Sequence, residues 1–300
     1  MIRLRHLSRA AVAAALLVPL RARAQHAPPD TTPVAAHAPT YAATAAAPVA
    51  VITLDPWRTR WTISAVVGGR PRKFLFDTGA GLTFVSAGVA KDVGCTPWGR
   101  VTGFNMFGRR GDTPRCDGVA FEAGGQRFTP TVTGLIDMGQ LNPRDADLDG
   151  LVGLNLFGDR PLTLDLSGGH IVVESDASLA ERVRDMTPLP VRVDREASGA
   201  ALALYVGVPS RQGTLWMELD SGNGGTVLVS APVASLLGLD PNAKGKQSGD
   251  FPVAGDARVR SDDVFIADMT IDGNLGMPFL RHWLLTVDPK GGRAWLTPAK

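Results

Sequence analysis

The sequence predicts a mostly β protein built from two homologous, barrel-like lobes with one short helix in each. Three observations carry that prediction. Segments of the chain recur at a fixed offset, 34 Gly and 22 Pro cut it into short strand-like runs, and few helical patterns exceed ten residues. The main exception, Ser178 to Met186, sits where the two halves join. The 300 residues suffice for two modest domains.

The first segment reads as an export signal over residues 1–24. A basic start (Arg3, Arg5, His6, Arg9) precedes an apolar run from Ala10 to Leu20 and a small-x-small site, Ala22-Arg23-Ala24, so the mature chain is expected to begin at Gln25. The run is too short for a stable membrane anchor, and the expected location is periplasmic or extracellular. The formal charge of +2 owes five arginines to this segment, so the mature charge is 2 − 5 = −3. A mildly acidic chain without a basic stripe offers nucleic acid no electrostatic footing.

Residues 25–50 are almost entirely Ala, Pro, Thr and Val and read as a disordered linker. The first lobe is expected over 51–177, the connection over 178–187 and the second lobe over 188–300. Strands are expected at Thr62–Val67, Val119–Phe121, Arg127–Val132, Ile171–Glu174, Ala201–Val208, Val264–Met269 and Arg293–Leu296. Cys95 and Cys116 are the candidates for one disulfide, whose loop closure would be worth roughly 3 kcal/mol; two buried thiols are the alternative.

The repeat has two parts. Asp149-Gly150-Leu151-Val152-Gly153 matches Asp272-Gly273-Asn274-Leu275-Gly276 at an offset of 123 (272 − 149), and Leu162-Thr163-Leu164-Asp165 matches Leu285-Thr286-Val287-Asp288 in the same register. Upstream, Phe74-Leu75-Phe76-Asp77-Thr78-Gly79 resembles Met217-Glu218-Leu219-Asp220-Ser221-Gly222. Each triplet leads into a short strand ending in Ser86 or Ser230, placed to cap helices over Ala87–Val93 and Ala231–Leu237.

One Asp-hydroxyl-Gly triplet is a common turn. Two, each following an apolar strand at the same place in a repeat, point to chemistry. Two carboxyls about 3 Å apart cannot both ionise cheaply, so they share one proton; one then takes a proton from water while the other gives one to a carbonyl oxygen. Thr78 and Ser221 offer hydroxyls to brace the opposing loop, and Gly79 and Gly222 remove side chains where two backbones converge.

On these motifs the chain resembles the pepsin/retropepsin superfamily of aspartic peptidases, in particular exported bacterial retropepsin-like members, over residues 55–300. The resemblance implies the bilobal acid-protease fold, Asp77 and Asp220 as catalytic pair, a peptide or protein substrate, no cofactor, and a monomer that carries a complete site. The departures are Asn223 after the second triplet, no tyrosine placed for a flap, and shorter spacing. Gly103-Phe104-Asn105-Met106-Phe107, glycine-bounded with an apolar tip, is the flap candidate; a core-facing hairpin is the alternative, and a polar counterpart lies around Gly245 to Gly255.

Other readings have weaker support. Asp145, Asp147 and Asp149 match the start of a Ca²⁺ loop, but its twelfth position is Leu156. The five histidines show no metal-ligand spacing, so no metal is expected. Two non-catalytic alternatives remain on the same fold: an exported peptide-binding protein, and an assembly factor tethered by its linker.

Overall fold

The computed structural model describes residues 38–299; the expected export signal and the linker up to residue 37 lie outside them. The first lobe is a sheet in the order Arg60–Val67, Arg70–Phe76, Gly150–Val152, Thr83–Val85, Thr133–Leu135, Arg110–Arg115 and Trp98–Phe104. The second repeats its centre in the order Val191–Asp194, Ala203–Ser210, Gly213–Leu219, Gly273–Leu275, Val227–Ser230, Ala257–Ala267 and Gln247–Ala254.

The two repeat motifs interlock in each lobe. Gly150–Val152 lies parallel to Arg70–Phe76, with Leu151 opposite Leu75 and Val152 opposite Phe76, and antiparallel to Thr83–Val85 on its other side. Gly273–Leu275 is threaded identically between Gly213–Leu219 and Val227–Ser230, with Asn274 opposite Glu218 and Leu275 opposite Leu219. Each aspartate therefore leaves the end of a central strand, held on both sides by ladder hydrogen bonds.

A third set of strands joins the lobes. Thr187–Leu189, Arg293–Pro298, Trp283–Asp288, Leu162–Asp165, His170–Val173 and Ala50–Trp57 run side by side, continuous with the first-lobe sheet. At its centre Leu162–Asp165 pairs antiparallel with Trp283–Asp288, and Thr163 faces its repeat equivalent Thr286 with 2.8 Å between hydroxyl oxygens. The pseudo-twofold axis thus passes between two copies of one residue. Beneath them Glu174 is buried and accepts from Thr163 at 2.7 Å and from Arg182 Nε at 2.8 Å.

Alternation along the strands supplies the core: Trp61, Phe74, Phe76, Phe121, Phe128, Phe157 and Phe251 are among the fully buried side chains. Each removes enough apolar surface from water to contribute about 1.5–3 kcal/mol.

Local differences from the sequence reading have physical causes. The strand Ala50–Trp57 extends into what reads as linker, and residues just before it are held against the body. The Thr40 amide and hydroxyl donate to Asp165 at 2.7 Å each, and the Ala45 amide donates to Glu181 at 2.7 Å. Composition alone sees only small residues there, not the carboxylates waiting for their amides. The junction helix is Asp176–Arg182, capped reciprocally by Ser175 and Ser178. Ser86 caps Ala87–Asp92 through the Val89 amide. Its counterpart Ala231–Leu237 is a 3₁₀ helix with Pro232 in its first turn; Ser230 makes no cap and turns instead to the Met269 carbonyl. The expected strand Val119–Phe121 lies instead at Phe121–Ala123, and the one expected over Arg127–Val132 is Gln126–Phe128, ending ahead of Pro130, which has no N–H for a ladder. Cys95, just past the first helix and ahead of Trp98–Phe104, and Cys116, just past Arg110–Arg115, form a disulfide with Cα atoms 6.0 Å apart, which ties together the base of those two paired strands.

Candidate active site

The triplet loops meet on the pseudo-twofold axis. The Thr78 hydroxyl donates to the Leu219 carbonyl at 2.7 Å and accepts from the Ser221 amide at 2.9 Å. The Ser221 hydroxyl donates to the Phe76 carbonyl at 3.0 Å and accepts from the Thr78 amide at 3.0 Å. Both hydroxyls are buried and fully used, so each loop is fixed by the other.

This grip sets the carboxyls against each other. The Gly79 amide donates to Asp77 at 3.0 Å and the Asn223 amide to Asp220 at 3.1 Å. Asp77 and Asp220 lie close enough for each to feel the other's charge. A Cβ on Gly222 would lie 2.4 Å from Asp77 Oδ2, and one on Gly79 2.8 Å from Asp220 Cγ, so only glycine fits at either place. Burial, then the neighbouring Asp220 charge, pushes the Asp77 carboxyl well above the ordinary range, against smaller opposing pulls from the Gly79 amide and then the Arg60 charge. Two facing carboxyls with one retained proton are what acid–base hydrolysis requires.

The flap candidate lies in the hairpin Trp98–Phe104/Arg110–Arg115, whose tip carries residues 104–109. Asn105 closes the turn by accepting from the Phe107 and Arg109 amides at 3.0 Å each. The tip reaches the other lobe, where the Met106 carbonyl accepts from the Thr270 amide at 2.9 Å and its hydroxyl at 3.1 Å. Phe104 is 65% exposed and Phe107 46%, so the hairpin does not turn its apolar tip into a core. The sequence signals for this element were its bounding glycines and apolar tip; its span across to Thr270 had none.

Of the three acidic residues at the start of the Ca²⁺-like loop, two are committed elsewhere. Asp145 is buried under Trp57 Nε1, Arg60 and Asn142, at 2.8, 2.7 and 3.0 Å. Asp149 accepts from Arg72 at 3.0 Å and from the Lys73 amide at 3.1 Å. Among the described residues no cluster of His, Cys, Asp or Glu is arranged to hold a metal.

Two residues that the sequence reading placed in the repeat motifs without a role stand beside the dyad. Asn274 Nδ2 donates to Asp220 Oδ2 at 2.8 Å and to Glu218 Oε2 at 3.1 Å. Glu218 is buried, and its carboxyl is pushed up to about 9, by burial first and then by the Asp220 charge. Both occupy strands read as apolar. The signal was present in the repeat, where Glu218 aligns with Leu75 and Asn274 with Leu151: two polar residues replace two apolar ones at paired positions.

Comparison with known proteins agrees with this architecture. A family model described as aspartyl protease matches residues 63–156, most of the first lobe. The basic 7S globulin of soybean superposes with a TM-score of 0.54 at 12% identity, covering 83% of this chain and 94% of that one. Conglutin gamma, a basic 7S globulin from lupine seeds, gives 0.56 at 10% identity, covering 85% and 96%. A protein named edgp gives 0.56 at 10% identity, covering 86% and 96%. No curated protein matches the chain in sequence. The first lobe matches the aspartyl protease family model, and the whole chain shares its fold with these solved structures.

Proposed function

We propose that the chain is an aspartic endopeptidase that hydrolyses peptide bonds through a water held between Asp77 and Asp220. The single observation that carries this is the mutual grip of two intact Asp-hydroxyl-Gly loops, which sets the glycine of each loop against the aspartate of the other and so turns the two carboxyls toward one site. The ionised carboxyl takes a proton from water as its oxygen bonds to the scissile carbon. The protonated one gives its proton to the carbonyl oxygen; the tetrahedral diol then collapses as the C–N bond breaks, the first carboxyl passing the proton it took from water to the leaving nitrogen and the second taking one back from a diol hydroxyl. The substrate is an extended peptide lying under the hairpin, with Phe104 and Phe107 offering apolar contact. Both aspartates come from one chain, so the working unit is a monomer. A disulfide fits an oxidising, exported setting.

A second reading, binding without cleavage, draws on one observation: two of the structural neighbours are named globulins, not proteases. Peptide-library digestion by the chain lacking residues 1–24, near pH 5, separates the two. Cleavage abolished by Asp77→Asn and by Asp220→Asn supports the peptidase. A folded protein that binds peptides but leaves them intact from pH 3 to 8 supports the binder.

A further inference from the structure

The environments of the two aspartates differ in one respect. Each accepts one backbone amide, from Gly79 or Asn223, but only Asp220 has a side-chain amide beside it. The orientation of that amide is fixed by a chain of obligatory donors. The Thr226 backbone N–H can only donate, and it donates to Asn223 Oδ1 at 3.2 Å. Asn223 Nδ2 therefore faces outward and donates to Asn274 Oδ1 at 2.8 Å. That leaves both hydrogens of Asn274 Nδ2 for Asp220 and Glu218. At the equivalent place in the first lobe Leu75 and Leu151 belong to an apolar cluster with Met138 and Leu148.

We propose that Asn274, held by Glu218 and Asn223, breaks the symmetry of the dyad: it places the negative charge on Asp220 and leaves the shared proton on Asp77. Asn274 and Glu218 are positioning residues, acting through Asp220. The amide hydrogen stabilises a carboxylate at Asp220 Oδ2 but would compete with a proton there. Glu218 serves as a neutral acceptor for the second amide hydrogen, so it orients Asn274 without adding charge. The groups facing it are Asp220 and Asp77, Tyr205 on the adjoining strand, and Glu196. Resting on the peptidase reading, this assigns Asp220 as the base that deprotonates water and Asp77 as the acid that protonates the carbonyl oxygen.

The test uses the chain lacking residues 1–24, with ¹³C-labelled aspartate carboxyls assigned through Asp77→Asn and Asp220→Asn. In the wild type the singly protonated dyad should show a carboxylate resonance for Asp220 and a carboxylic acid for Asp77. Asn274→Leu, which copies Leu151, should erase that order, lower kcat about tenfold or more at nearly constant KM, and move the acid limb of the pH profile upward. Glu218→Leu should do the same more weakly, whereas Glu218→Gln, still an acceptor, should keep kcat within about threefold and preserve the profile. If Asn274→Leu fails to fold, Asn274→Ser takes its place. A proton on Asp220 or shared evenly in the wild type, or an unchanged carboxyl order in the Asn274 variant, overturns the proposal. A wild type that cleaves nothing overturns the peptidase reading alone, since the resonances still report the order.

Discussion

The two lobes agree most closely where they touch and diverge within three residues of that contact. Thr78 and Ser221 make the same pair of bonds in opposite directions, and Gly79 and Gly222 leave the same gap for the facing carboxyl. Two residues before each aspartate, Leu75 beside Leu151 becomes Glu218 beside Asn274. The periphery diverges further. The first lobe carries the hairpin that spans to Thr270 and the Cys95–Cys116 disulfide. Symmetry is retained where each loop must serve as the other's hydrogen-bond partner, because a change on one side strands a buried donor on the other. It is lost where the two halves meet different neighbours.

Four sets of substitutions test that division. The largest effect is expected from Gly222→Ala and Gly79→Ala, whose methyl groups would strike Asp77 or Asp220. Cleavage assays should show loss of about a thousandfold or more from either side; a tolerated alanine on one side would mean that the loops do not meet symmetrically. Next, Cys95→Ser with Cys116→Ser should lower stability by roughly 3 kcal/mol in denaturant unfolding, an effect confined to the first lobe. Thr78→Val and Ser221→Ala should then cost similar amounts, about 1–3 kcal/mol each, since each leaves a buried amide and a carbonyl unpaired. The smallest is Thr270→Val, which removes one of the two bonds to Met106 and should mainly speed hydrogen exchange at the hairpin tip.

A pH measurement sharpens the polar side of the comparison. A buried carboxyl raised from 4.5 to about 9 holds its proton more tightly folded than unfolded. Its stabilising effect is complete below about pH 4.5 and is lost as pH rises towards 9, an amount on the order of a few kcal/mol. Asp77 acts in the same direction. Glu218→Gln should therefore flatten the fall in thermal stability across that range, leaving only the Asp77 share. An unchanged slope would mean that Glu218 is ionised in the folded protein.

The triplets and the threaded glycine motifs were legible because duplication writes each of them twice, and a feature read twice in register is hard to mistake for a turn. The strand Ala50–Trp57 was not among the strands read from the sequence, since Asp55-Pro56 interrupts its apolar run and its partners His170–Val173 and Arg60–Val67 show only in the pairing. Glu218 and Asn274 were hidden by the same repeat that exposed the aspartates. Matching by motif counts Glu218 as part of an apolar strand, and only the pairing of strands far apart in the chain shows that the two exceptions face each other.

The join between the lobes also sets an order of events during synthesis. Leu162–Asp165 finds one neighbour at once in His170–Val173, but its other edge is covered by Trp283–Asp288, whose first residue follows 121 positions later (283 − 162). At roughly 5–20 residues per second that interval is about 6–24 s. Through it the nascent first lobe presents a row of unpaired backbone groups ending beside Thr163, a ready template for another chain. Completion of the second lobe is therefore also the step that closes the first against aggregation.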